Sequence, residues 1–113
     1  MGKSALDAMT EHAIAELLSG SDARRRALVR DMVQRWPGES ALKLIFALTS
    51  AAAEIEDMFG SDGESHRAHA LGYKLSALLA ADVYALEAMG PTPVRARYLL
   101  HFWRRVDPYF LEL

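Results

Sequence analysis

The amino-acid sequence predicts an all-α fold, a compact bundle of about five helices in which the third and fourth form a long central antiparallel hairpin. Three observations carry this expectation. Apolar residues recur at three- and four-residue intervals along most of the chain, and no run of β-branched residues alternates with period two. Four punctuation points, Ser19-Gly20, Trp36-Pro37-Gly38, Gly60-Ser61-Asp62-Gly63 and Gly90-Pro91-Thr92-Pro93, cut the chain into pieces of helical length. Each is followed by a helix-start signal, and the connections are as short as antiparallel neighbours require.

The first helix is expected over 5–18, capped by Ser4 with Asp7 in its first turn. It turns Leu6, Met9, Ala13, Ile14 and Leu17 inward, with His12 and Glu16 opposite. The second, over 22–35 after Ser21, sets Arg25 on the side that holds Val29, Met32 and Trp36. The third, over 40–59 from Ser40, is expected to bury Leu44, Ile45, Leu48, Ala52, Ile55 and Phe59. Its far side carries a thin polar stripe of Lys43, Ala47, Ser50, Glu54 and Asp57.

The fourth helix, over 64–89, has apolar residues on two sides. Leu71, Leu75, Leu78, Leu86 and Met89 make one face, and Tyr73, Ala77, Tyr84 and Ala88 the other. His69, Ser76 and Glu87 form the narrow polar strip between them. Such a helix is either central in its bundle or half covered by a partner chain. Alanines 70, 77, 81 and 88 are small enough for a second helix to approach closely. The fifth helix is expected over 93–106, capped by Thr92 with Pro93 at its first position, and stopped by Asp107-Pro108.

Composition narrows the functional classes. A chain of 113 residues and 12.5 kDa suits one domain over 1–113. Half of the residues are hydrophobic, which excludes disorder through low hydrophobicity. The absence of cysteine excludes disulfides and thiolate metal sites and fits a reducing cytoplasm. A net charge of −2 and a pI near 6.1 give no overall field toward nucleic acid or anionic membrane. The most apolar stretch, 44–55, contains Thr49, Ser50 and Glu54 and is too short to cross a bilayer. The first residues lack the apolar region of a signal peptide. Neither a nucleic-acid nor a membrane partner is expected, and no cofactor.

Asp82 is the sharpest anomaly, because it falls in the middle of the leucine face. A carboxylate there must be paired, hydrogen-bonded or protonated. Arg25 and Arg95 also lean toward apolar faces, so an ion pair between Asp82 and one of them, fixing helix register, is the expected solution. His66 and His69 stand one turn apart near Asp62 and Glu64, with Glu54 and Asp57 across the turn. That group, led by His66, His69 and Asp62, offers nitrogen and oxygen ligands for a metal, against the plainer reading of a solvated hairpin tip.

The segment Ala68-His69-Ala70-Leu71-Gly72 resembles the His-x-Leu-Lys-Gly motif of histidine phosphotransfer domains, with Gly72 in place of the lysine and Lys74 two residues later. The resemblance covers five residues and implies an exposed His69 as phosphoacceptor. Arginines 24, 25, 26, 30 and 35 dot the second helix, while Arg97, His101, Arg104 and Arg105 share one face of the fifth. Either cluster suits phosphates or an acidic partner, against the plainer reading of solvated arginine faces, and a third helix mostly of leucine and alanine with one lysine is unsuited to reading base edges.

Half of the aromatic residues, Tyr98, Phe102, Trp103, Tyr109 and Phe110, lie near the C-terminus. They serve either to close the bundle or, with Tyr73 and Tyr84, as an interface; Tyr73, Tyr84, Trp103, Tyr109 and Phe110 are the interface candidates. No nucleophile elbow, glycine-rich loop or paired acid–base site is present. The sequence therefore points to a small helical interaction or regulatory module that self-associates as a dimer or meets a protein partner. The alternative is a bundle that binds an anion or a metal.

Overall fold

The computed structural model describes residues 4–60, 63–90 and 93–113, with Glu64 described by its backbone alone. Among the described residues six helices follow in order: α1 (Ala5–Leu17), α2 (Asp22–Arg35), α3 (Ala41–Phe59), α4 (Gly63–Met89), α5 (Ala96–Arg105) and the single turn α6 (Tyr109–Glu112). Helices α3 and α4 make the most extensive packing, so the central antiparallel hairpin is present. Helix α1 lies against α3, and α2 bridges α1 to α5 and α6.

Local signals set most of the boundaries. Ser4 Oγ accepts from the Asp7 backbone N–H at 3.1 Å, and Ser21 Oγ from that of Arg24 at 3.2 Å, each satisfying an N–H that the helix itself leaves open. Gly60, at φ +69°, ends α3 in a conformation that costs other residues strain. The fifth helix corrects its expected boundary, for it begins at Ala96 rather than 93. Residues 94–96 instead run beside 37–41. Val94 O accepts from the Ala41 N–H, while the Ala96 and Arg97 N–H groups reach Glu39 O and Pro37 O, all within 2.9 Å. The leading segments of α3 and α5 thus satisfy each other's first donors. Ser40 consequently makes no side-chain cap, and Thr92 lies outside the described residues.

The core is one cluster fed by all six helices, including Met9, Leu28, Leu48, Leu79, Leu99 and Phe110. Leu48 and Leu79 are wholly enclosed, and each such leucine contributes about 1.5–3 kcal/mol through burial. The aromatic pair Trp103 and Phe110, ring centroids 5.0 Å apart, closes the C-terminal end. Both are buried, so these two interface candidates belong to the core.

The face that α4 buries differs from the expected one. Ala68, Gly72, Leu75, Ser76, Leu79 and Val83 form its inner stripe, while Met89 is exposed. The reason is steric. A Cβ added at Gly72 would stand 2.9 Å from Ala52 Cβ and 3.1 Å from Leu17 Cδ1, so the backbones of α3 and α4 approach as closely as only glycine allows. The packed stripe follows small residues, with the leucines Leu71, Leu78 and Leu86 half-buried at its flank. On α3, Ala47, expected in the polar stripe, is buried, whereas Phe59 at the end of that helix is exposed.

Candidate functional site

Asp82 lies inside the bundle, but neither arginine reaches it. The Trp103 indole Nε1–H donates to its Oδ2 at 2.8 Å, an α5-to-α4 tie that replaces the expected ion pair. Burial pushes the Asp82 carboxyl above its ordinary range, nearby Asp107 adds to the push, and the indole hydrogen bond opposes it. Arg25 is also buried, yet its Nε–H turns back to Leu17 O at 2.9 Å, satisfying a carbonyl at the C-terminal end of α1. Asp22, one turn earlier, stands 3.7 Å from the same guanidinium. Arg95 is exposed and donates to Gly38 O at 3.2 Å. It sits in the extended segment before α5, so its helical-wheel position beside Phe102 never arises.

The hairpin histidines part company. His66 is exposed, whereas His69 is buried with its ring edge-on to that of His66 at 5.0 Å. His69 Nε2 stands 3.7 Å from Glu56 Oε2, and its Nδ1 is enclosed without a hydrogen-bond partner. The phosphotransfer expectation places an exposed ring at His69, whereas the residue is only 4 % exposed. That expectation followed from placing His69 on an outer strip, while α4 is turned so that Ser76, in the same strip, is buried too. Ser76 Oγ donates to Gly72 O at 2.9 Å, which is how a hydroxyl is accommodated in the seam. Asp62 lies outside the described residues. Among the described residues, no group of three or more histidine and carboxylate side chains is close enough to hold a metal ion.

The arginines expected in solvated faces divide in two. Arg24 grips Glu16 through two bonds of 2.8 Å, holding the Glu16 carboxyl below its ordinary range, and Arg35 Nε stands 3.2 Å from Asp31. Asp31 also meets His12 Nε2 at 2.6 Å, so His12, expected to face outward, is a half-buried link between α1 and α2. On α5, Arg97, His101, Arg104 and Arg105 are all exposed.

What remains is an apolar outer face on the central hairpin. Leu42 (67 % exposed) and Phe46 (60 %) on α3 and Tyr84 (76 %) on α4 are open to solvent. On α3, Leu42, Ile45, Phe46, Thr49 and Ala53 line a shallow groove of about 380 Å³. On α4, Tyr73, Ala77, Ala81, Tyr84 and Ala88 follow one another at helical spacing, all exposed. Two contacts set the strips side by side. The Tyr73 hydroxyl donates to Glu56 Oε1 at 3.2 Å near the hairpin tip, and Leu42 shares a crevice with Val83 and Glu87 at its base. The second apolar side of α4 is thus uncovered in the single chain. Leu42 and Phe46 escaped the sequence reading because a wheel of α3 alone cannot show which of its apolar residues α1 and α4 leave uncovered.

The chain matches no protein-family model, no curated protein and no solved structure. Among the described residues, no helix is long and apolar enough to cross a membrane.

Proposed function

We propose that this chain is a small helical interaction module that pairs with a second copy of itself through the outer face of the α3–α4 hairpin. The carrying observation is the exposure of Leu42, Phe46, Tyr73 and Tyr84 on one side of the most extensively packed pair of helices. Exposed apolar residues gathered on one face mark association surfaces, whereas singly scattered ones need no explanation. The composition suits self-pairing in particular. Large side chains at Tyr73 and Tyr84 flank small ones at Ala77 and Ala81, so a two-fold arrangement sets aromatic rings over alanines in both directions. Tyrosine supplies such contact area with little loss of side-chain freedom.

Light scattering during gel filtration tests the reading. The wild-type chain is expected at twice its 12.5 kDa mass. Phe46→Glu and Tyr84→Glu are expected to return it to the single-chain mass with the helical circular-dichroism spectrum intact. A wild-type chain that stays at the single-chain mass at hundreds of micromolar overturns the proposal.

A further inference from the structure

A pocket of about 200 Å³ opens between α4 and the C-terminal turn, lined by Leu78, Ala81, Asp82, Asp107, Tyr109 and Phe110. Asp82 is only 8 % exposed, and its Oδ2 is taken by the Trp103 indole. Its other oxygen has no hydrogen bond, yet it is not among the sealed polar atoms: of the described residues only His69 Nδ1 is buried without a partner. The small remaining exposure of Asp82 therefore opens onto the pocket it lines. Asp107 brings a second carboxylate to the rim, where its Oδ1 accepts from the Tyr109 N–H at 3.2 Å. Among the described residues, no lysine, arginine or histidine forms an ion pair with either aspartate. Tyr109 and Phe110, rings edge-to-face at 5.2 Å, make the aromatic wall.

We propose that this pocket binds an alkylammonium group, with Asp82 and Asp107 as the anionic contacts and Leu78, Ala81 and the two rings around the methylene stem. The site combines what a primary amine needs: carboxylate oxygens for its N–H donors, an aromatic face for its charge and apolar walls for its chain. Other cations fit less well. A guanidinium prefers both oxygens of one carboxylate, and Oδ2 of Asp82 is already engaged. A calcium or magnesium ion needs six or more oxygen ligands or waters, which leucine, alanine and phenylalanine walls do not supply. Burial and like charge hold the empty Asp82 carboxyl above its ordinary range, and a cation relieves both.

The same chemistry is carried by a free amine and by a lysine side chain of a bound peptide. Titration of the wild-type chain with n-propylammonium and with N-acetyl-lysine methylamide, followed at the Trp103 indole N–H resonance, tests the site and separates the two sources. A saturable shift is expected at pH 7.5, weakening as pH falls through the raised Asp82 titration. Tighter binding of the lysine derivative identifies a peptide segment as the natural occupant, and tighter binding of propylammonium a free amine. Asp82→Asn keeps an acceptor for the indole but removes the charge, and is expected to abolish the shift. Asp107→Asn is expected to weaken binding several-fold. No saturable shift at tens of millimolar of either compound, or an equal shift in Asp82→Asn, overturns the proposal. Repeating the titration in Tyr84→Glu keeps the outcome independent of whether the hairpin pairs.

Discussion

The two sides of the α3–α4 hairpin use the same kinds of residue to opposite ends. On the inner side Gly72, Ala52, Ala68 and Ser76 are small so that two helices of one chain can close on each other, and the Ser76 hydroxyl is satisfied locally by Gly72 O. On the outer side Ala77, Ala81 and Ala88 are just as small but face solvent, with Tyr73, Tyr84, Leu42 and Phe46 between them. Small residues thus permit close approach without requiring it. What separates a seam from an open face is whether the chain itself supplies the second surface. The inner side is completed by α1, α3 and α5, and the outer side is open to solvent in the single chain.

That contrast breaks most visibly in the core. Leu79→Ala removes an enclosed side chain from the inner stripe and is expected to cost about 2–5 kcal/mol in urea unfolding, with no specific effect on association of the chains that remain folded. Asp82→Ala strands the buried indole N–H of Trp103 and is expected to cost about 1–3 kcal/mol. Asp82→Asn should behave oppositely. The carboxyl's folded pKa is raised, so between its unfolded and folded values the native state binds more protons and stability falls as pH rises through that window. Wherever Asp82 is ionised the charged form carries that cost, and Asn escapes it while still accepting from the indole. Thermal melts of both chains across a pH series should therefore show the wild type losing stability relative to the Asn variant as pH rises.

Gly72→Ala sharpens the steric half of the contrast. The added Cβ gains about 1 kcal/mol of helix propensity but meets Ala52 Cβ at 2.9 Å. Overpacking of about 1–3 kcal/mol outweighs the gain, so a net loss of about 1 kcal/mol is expected in chemical denaturation. Ala77→Gly, its outer-face counterpart, should cost only the propensity. The smallest effect on the fold is expected from Tyr84→Ala, within about 0.5 kcal/mol for a dilute monomer, because that ring touches little of its own chain. Its effect on assembly should be the largest of the set.

The fold was legible because its signals are local. Ser4 and Ser21 cap the helices they precede, and the breaks at Gly20, Pro37 and Gly60 fall where expected. The orientation of α4 was not, because hydrophobic periodicity gives weight to large side chains, whereas tight helix contact selects small ones. Gly72 and Ser76 look neutral or polar on a wheel and are in fact central to the seam. Asp82 was recognisable as a buried carboxylate, but its partner depends on where Trp103 arrives from a different helix, which no spacing encodes. Arg25 shows the same limit from the other side: acceptors near it in sequence, Leu17 O and the Asp22 carboxylate, lie within its reach. The start of α5 was displaced by hydrogen bonds to residues 37–39, distant in the same chain, again a tertiary effect.

Hydroxyl-radical footprinting of the wild-type chain across a dilution series tests the central claim most directly, since it reads the location as well as the fact of pairing. Phe46 and Tyr84, open in the single chain, are expected to become protected together as concentration rises, while Tyr98, which lines a different groove with Leu86, Met89 and His101, keeps a constant labelling rate. Constant labelling of Phe46 and Tyr84 across the whole range, or protection confined to Tyr98, would contradict it.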